Sequence, residues 1–207
     1  MPVITQIKPQ KKKNRVNIYL DGKFAFGLDL ENLVKLGLKV EQELGEDEIE
    51  KIVKEAEFAK TFEKILRFSM LRPRSEKELY DWLKRKKVHL SLHKKIFERL
   101  KKLDLVDDEK FAKWWVDQRL NFRNKSVREI TYELRLKGIE KDLINSALEE
   151  VKIDEVKSAK GLITKNFFRW RRFSTAERKV KILQYLLRKG FPFRVVKKAV
   201  EELELKG

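Results

Sequence analysis

The chain of 207 residues contains two side chains of the kind that most often bind zinc, His89 and His93. Their four-residue spacing would place both on one face of a helix, as in a paired metal ligand. The residues between them are Leu-Ser-Leu, with no glutamate after the first histidine, and the chain has no cysteine to act as a third ligand. We therefore predict a solvated helix at this position and no metal site.

Carboxylate pairs and glycine-rich loops are the other features that could support catalysis. Asp107-Asp108 and Glu46-Asp47-Glu48 each open a predicted helix, where acidic side chains favour the positive end of the helix dipole. No neighbouring residues supply the perturbing environment that general acid–base chemistry needs. The eight glycines fit neither G-x-x-x-x-G-K-[ST] nor G-x-G-x-x-G at any register. We predict no enzyme, no catalytic residue and no cofactor.

Basic side chains are abundant and unevenly distributed. The net charge of +17 comes from segments 60–102, with 15 basic and 5 acidic residues, and 157–207, with 15 and 4, whereas 1–59 and 103–156 are slightly acidic. Clustered cations raise the local potential, which favours binding to a polyanion. The residues predicted to bind a filament or nucleic acid are Arg72, Arg74, Lys84, Arg85, Lys86, Lys87, Lys165, Phe168, Arg169, Arg171, Arg172, Arg188, Lys189 and Arg194.

The segment 163–172 predicts a helix with one basic and one apolar face. At 100° per residue the basic face contains Lys165, Arg169 and Arg172, the opposite face contains Ile163, Phe167 and Trp170, and Phe168 lies at the border. Aromatic side chains at helical spacing usually form core. Arginine binds phosphate and carboxylate equally well through its planar fork, so the basic face fits nucleic acid or an acidic protein surface.

Two kinds of element must position these clusters. Residues 16–20 and 23–26 alternate apolar and polar side chains around Asp21-Gly22, a pair typical of a type I′ turn, and predict a β-hairpin. Residues 4–7 predict a third strand, joined through the loop 11–15. From about Glu31 the apolar period changes to 3.6, which predicts helices.

The helical part repeats itself when Ser75, Ser126 and Arg178 are aligned without gaps. Seven aligned positions are apolar in all three segments: Leu79/Ile130/Ile182, Leu83/Leu134/Leu186, Val88/Ile139/Phe191, Leu92/Leu143/Val195, Ile96/Ala147/Ala199, Phe97/Leu148/Val200 and Leu100/Val151/Leu203. Duplication explains this better than chance. We predict a mainly α fold with an N-terminal β-hairpin region at 1–58 and three-helix repeats at 59–105, 106–154 and 155–207, stacked as a short curved solenoid.

Helix-boundary residues recur in each repeat. Ser75 with Glu78, Ser126 with Glu129, and Ser174 with Glu177 form predicted capping boxes. Lys137-Gly138 and Lys189-Gly190 place a glycine where a left-handed residue ends a helix, whereas the first repeat has Lys87 there.

Four segments of the sequence together resemble the RecX family of bacterial recombination regulators. They are the strand-hairpin start Ile4-Thr5…Asp21-Gly22…Phe24-Ala25-Phe26-Gly27, the stretch Arg72-Pro73-Arg74-Ser75-Glu76-Lys77-Glu78-Leu79, and the stretch Leu105-Val106-Asp107-Asp108-Glu109-Lys110-Phe111-Ala112, followed by Lys137-Gly138-Ile139. The resemblance implies a protein of three tandem three-helix units that lies in the groove of the filament of RecA recombinase on single-stranded DNA. It further implies that the protein restrains filament growth and suppresses strand exchange, ATP hydrolysis and co-protease stimulation.

From this resemblance we expect a non-enzymatic regulator whose partners are the RecA filament and single-stranded DNA, with double-stranded DNA as a further polymer. We expect a monomer. We also expect a cytoplasmic protein that does not enter membranes, because the N-terminus lacks a signal-like apolar stretch and no run approaches 18 apolar residues. Two alternatives stay open: a stand-alone helical-repeat protein that binds DNA or RNA without the recombinase, and an enzyme.

Overall fold

The computed structural model describes residues 1–11, 14–151 and 153–204. Residues 12 and 13 of the predicted 11–15 loop, and residues 205–207 of the third predicted repeat, lie outside that part. The described part is mainly helical. Its strands are β1 (Ile4–Pro9), β2 (Arg15–Leu20) and β3 (Lys23–Asp29), and its α-helices are α1 (Leu30–Lys35), α2 (Glu46–Met70), α3 (Glu76–Arg85), α4 (Leu90–Lys102), α5 (Asp108–Arg123), α6 (Val127–Leu136), α7 (Lys141–Glu150), α8 (Glu155–Asn166), α9 (Thr175–Arg188) and α10 (Phe193–Glu204). No described helix is long and apolar enough to cross a lipid bilayer.

The three strands form an antiparallel sheet in the order β1-β2-β3. Leu20 pairs with Lys23 across the turn, and Asp21 and Gly22 have φ angles of +49° and +80°. Positive φ at both central residues defines a type I′ turn. Hairpins favour this turn because its twist matches that of the flanking strands. The predicted hairpin and third strand are therefore confirmed.

The chain divides into two compact units. The first contains Met1–Leu71 and Trp82–Lys102, and the second contains Arg72–Asp81 and Leu103–Gly207. The core of the first unit includes Ile4, Ile18 and Leu28, which are fully buried. Helix α2 runs without interruption through the predicted boundary at 58/59. The repeat boundaries stay a prediction.

Aligned apolar positions from each repeat lie in the helical cores of the described part of the chain. Two aligned sets show this most clearly: Leu79/Ile130/Ile182 and Leu83/Leu134/Leu186. Five of these six side chains are fully buried, and the sixth, Ile182, is nearly so. Burying a leucine or isoleucine stabilises a fold by about 1.5–3 kcal/mol. The middle repeat packs Phe111, Trp115 and Ile144 around its core, and the third packs Ile163, Trp170 and Phe191.

The predicted helix ends are largely confirmed. Gly138 and Gly190 have φ angles of +81° and +83°, and Lys87 adopts the same left-handed conformation with φ of +52°. Asp107 caps α5 by accepting a hydrogen bond from the Lys110 amide at 2.9 Å.

The three predicted capping boxes differ in one respect. All three serines accept the amide of the residue three positions on, but the reciprocal carboxylate bond forms only in the pair Ser174–Glu177. The carboxylates of Glu78 and Glu129 instead bind cations.

Two details of the helices differ from the sequence-based expectations. The helix predicted over 163–172 ends at Asn166, so Lys165, Arg169 and Arg172 do not share one helix face, and Phe167 is 43% exposed instead of buried. The predicted solvated helix at His89 and His93 is wrong for His93, which is 4% exposed, with Nε2 3.1 Å from the Val88 carbonyl oxygen. Its spacing from Ile96 and Phe97 places it on the buried face of α4.

Candidate filament and nucleic-acid interface

The basic residues of the third repeat lie on a turn, residues 167–173, which we call the aromatic turn. Helix α8 ends at Asn166, whose side-chain amide donates a hydrogen bond of 2.8 Å to the Leu162 carbonyl oxygen. A 3₁₀ turn, Phe167–Arg169, follows. Trp170 is then buried, and its ring packs edge-on against Tyr185 at 5.2 Å between centroids. Trp170 therefore lies in the core although helix α8 has already ended before it.

Arg178 binds the backbone of the aromatic turn. Its guanidinium donates hydrogen bonds to the carbonyl oxygens of Trp170 at 3.4 Å, Arg171 at 3.3 Å and Phe173 at 3.1 Å. The guanidinium carbon, Cζ, lies 5.3 Å from the centre of the Phe167 ring. Sequence reasoning missed this residue. A signal was available, because Arg178 occupies the alignment column in which the other two repeats have a buried capping serine.

Cations and rings alternate around the aromatic turn. The Arg169 guanidinium lies 5.5 Å and the Lys189 ammonium 6.0 Å from the centre of the Tyr185 ring, so both predicted residues lie beside the same ring. Arg172 lies 5.2 Å and Lys181 4.3 Å from the Phe173 ring. Phe168, also predicted, is 67% exposed.

Few carboxylates neutralise this surface. Segment 157–198 contains 14 basic residues and one acidic residue, Glu177. Hydrogen bonds from the Ser174 hydroxyl and amide lower the pKa of Glu177 and engage it in capping. The described salt bridges of the third repeat join Lys160, Lys197 and Lys198 to carboxylates at positions 201 and 202 of α10. The arginines of the aromatic turn are therefore available to an external anion.

Other basic residues of the prediction lie on several helices or directly after one. Lys165, Arg188 and Arg194 are exposed on α8, on α9 and on α10 respectively. Lys84, Arg85, Lys86 and Lys87 are exposed at the C-terminal end of α3 and belong to the first compact unit.

Arg72 makes contacts within the protein. Its two terminal nitrogens donate to Glu78 at 3.0 and 2.9 Å, and its guanidinium lies 5.7 and 5.8 Å from the ring centres of Trp114 and Trp115. Lys137 binds the same carboxylate. Burial lowers the pKa of the neighbouring Arg74, and the charge of Arg72 adds to this effect. Arg72 is thus half-buried and serves the fold, which its position on a loop did not indicate.

Two carboxylates connect the helices around Trp115. Burial alone would raise the pKa of Glu78, but hydrogen bonds from Arg72 and Lys137 outweigh it and hold the pKa below its usual value. The pKa of Glu133 is also lowered, because hydrogen bonds from Lys125 and Arg119 outweigh the effect of burial. Glu133 also accepts a hydrogen bond from the Trp115 indole N–H at 2.9 Å. Among the described residues no group of three or more potential ligands could hold a metal ion.

Three family models match this chain. The model of the regulatory protein RecX N-terminal domain matches residues 2–45, that of the RecX second three-helix domain matches 107–148, and that of the RecX third three-helix domain matches 153–200.

Individual relatives and solved structures agree with these models. The regulatory protein RecX of Bacillus licheniformis is 38% identical over 206 residues, covering 99% of this chain and 78% of the relative. That of Clostridium perfringens strain SM101 is 33% identical over 98% of this chain and 97% of the relative. A crystal structure of regulatory protein RecX superimposes with a TM-score of 0.69 and 31% identity, covering 97% of this chain and all of that one. A crystal structure of RecX from Lactobacillus salivarius gives 0.60 and 28%, covering 72% of this chain and 97% of that one. The chain belongs to the RecX family of regulatory proteins.

Proposed function

We propose that this chain binds the filament that RecA recombinase forms on single-stranded DNA and inhibits strand exchange, ATP hydrolysis and co-protease stimulation. It acts by binding, as a monomer without catalysis. The relatives are named regulatory proteins, which supports a regulatory role.

The observation that carries the proposal is the surface of the aromatic turn. Arg169, Arg171 and Arg172 are exposed beside one another, and Arg178 fixes the backbone that presents them. Because these contacts hold the backbone in place before binding, the turn itself loses less conformational entropy on binding. Its planar guanidinium groups match both phosphates and carboxylates, the anionic groups that a filament of protein and DNA presents.

Measuring the ATPase rate of RecA on single-stranded DNA at increasing concentrations of this protein tests the proposal. We expect a saturating decrease in the rate, with no ATP turnover by this protein alone. An unchanged rate at saturating concentration would refute the inhibitory role.

A stand-alone nucleic-acid-binding function is the second candidate, and exposed Phe168 favours it because a free aromatic face can stack on an unpaired base. This candidate predicts tight oligonucleotide binding without RecA. The proposed function predicts weak binding to the free oligonucleotide and much tighter binding to the assembled filament. Comparing the two affinities in one buffer separates the candidates.

A further inference from the structure

Helix α6 of the middle repeat has one face whose side chains are exposed in the described part of the chain. Ile130 and Leu134 are fully buried on one side. On the other side Arg128 and Arg135 are exposed, and Tyr132, between them, is 62% exposed. At 100° per residue these three side chains fall within about 60° of one another.

The acidic residues of α6 do not neutralise this face. Glu129 accepts a hydrogen bond from Lys125 at 3.1 Å, and Glu133 accepts one from Arg119 at 2.6 Å. Both carboxylates are thereby turned towards cations that precede α6. Neither Arg128 nor Arg135 forms an ion pair within the described part of the chain.

The repeat junction joins this face to the basic end of α9. A Cβ placed on Gly190 would lie 3.3 Å from both Cβ and Cδ of Arg128, so the arginine stem packs against the glycine. The Ser126 hydroxyl donates 2.7 Å to the Lys189 carbonyl. Lys189 in turn shares the Tyr185 ring with Arg169. We call the resulting surface the junction ridge: Arg169, Tyr185, Lys189, Arg128, Tyr132 and Arg135.

We propose that the junction ridge binds one strand of nucleic acid, with phosphates on its cations and an unpaired base stacked on Tyr132. This rests on the proposed function and adds the middle repeat, whose net charge is slightly acidic, to the binding surface. The alternation of exposed ring and unneutralised cation favours a single strand, because each base has a free aromatic face and each linkage carries one charge. An acidic protein surface would satisfy the arginines but would leave the exposed tyrosine ring without a matching group.

Binding of the parent and variants to a fluorescent oligo(dT) strand, without recombinase, tests the inference. Arg128→Gln/Arg135→Gln keeps the aliphatic stem that packs on Gly190 and removes two charges. We expect the log–log salt slope to become shallower by about 1.4, at ~0.7 per phosphate for single strands. Tyr132→Ala should weaken binding at least about fivefold, whereas Tyr132→Phe, which keeps the ring, should bind like the parent.

The matched control is Arg123→Gln/Lys141→Gln, which removes two exposed cations of the same repeat that do not lie on α6. Its salt slope should equal that of the parent. If Tyr132→Ala and the double arginine variant bind oligo(dT) like the control, the inference is wrong. If those variants retain oligo(dT) binding but lose inhibition of RecA, the ridge contacts protein and the inference is also wrong. If the parent fails to inhibit RecA while the ridge variants lose oligo(dT) binding, the proposed function fails and the ridge stands.

Discussion

Replacing Glu78 with glutamine removes one charge from a partly buried ion cluster of the second compact unit. The Glu78 side chain is 13% exposed and accepts two hydrogen bonds from Arg72 and one from Lys137. In the variant the two cations would remain beside the Trp115 ring, 5.8 and 5.0 Å from its centre, with no carboxylate between them.

The expected loss follows from the number of charged hydrogen bonds. Each hydrogen bond to a charged group contributes about 1.5–3 kcal/mol, and the glutamine carbonyl can keep part of one. A partly buried pair costs less to break than the 3–5 kcal/mol of a fully buried one. We expect Glu78→Gln to lower the free energy of unfolding by about 2–3 kcal/mol. For a chain of this length that is a decrease in Tm of about 5–10 °C.

The pH dependence gives the prediction its sharper test. Because the folded pKa of Glu78 is held below its usual value, the carboxylate stabilises the fold above the unfolded pKa, near 4.3–4.5. That contribution disappears as the pH falls through the folded pKa.

Thermal unfolding of parent and variant should therefore differ most near pH 7, and the difference should disappear as the pH falls through the lowered folded pKa of Glu78. Glu149→Gln, a change of an exposed glutamate on α7, is the control and should leave Tm nearly unchanged. Equal Tm values at pH 7, or a difference that does not change with pH, would refute the reasoning.

Further variants test the backbone at one position in each compact unit. Lys87→Gly should raise the free energy of unfolding in urea by about 1 kcal/mol. The reason is that Lys87 adopts a left-handed conformation, which costs a non-glycine residue roughly 1–2 kcal/mol. A less stable variant would contradict this prediction. Arg178→Gln should weaken inhibition of RecA although Arg178 is half-buried, because the aromatic turn loses its three carbonyl contacts. Arg178→Lys keeps the charge without the fork and should behave like Arg178→Gln, so recovery of inhibition by lysine would show that only the charge matters.

Local patterns were sufficient to predict the hairpin and the repeated helices. Asp21-Gly22 determines its own turn, and the aligned apolar positions define buried faces independently of distant residues. His93 could also have been predicted as buried, because it shares the spacing of Ile96, Phe97 and Leu100.

The aromatic turn could not be predicted from helical periodicity. Phe167 and Trp170 continue the apolar spacing of α8, but Trp170 reaches the core through a tertiary contact with Tyr185, 15 residues later. The internal role of Arg72 is non-local as well, since the carboxylate that it binds is shared with Lys137, 59 residues beyond Glu78. Such contacts leave no periodic signal in the sequence.

The most direct test of filament regulation through the aromatic turn is the RecA ATPase rate on single-stranded DNA in the presence of Arg169→Glu/Arg171→Glu/Arg172→Glu. Each lost contact worth about 1.4 kcal/mol weakens binding tenfold. The concentration of the variant that gives half-inhibition should therefore be at least about tenfold higher than that of the parent, whereas its helical circular dichroism should be unchanged. The control Lys94→Glu/Arg123→Glu/Lys141→Glu reverses three exposed charges elsewhere and should inhibit like the parent. Equal inhibition by the turn variant and the parent would contradict the assignment of the aromatic turn as the filament-binding surface.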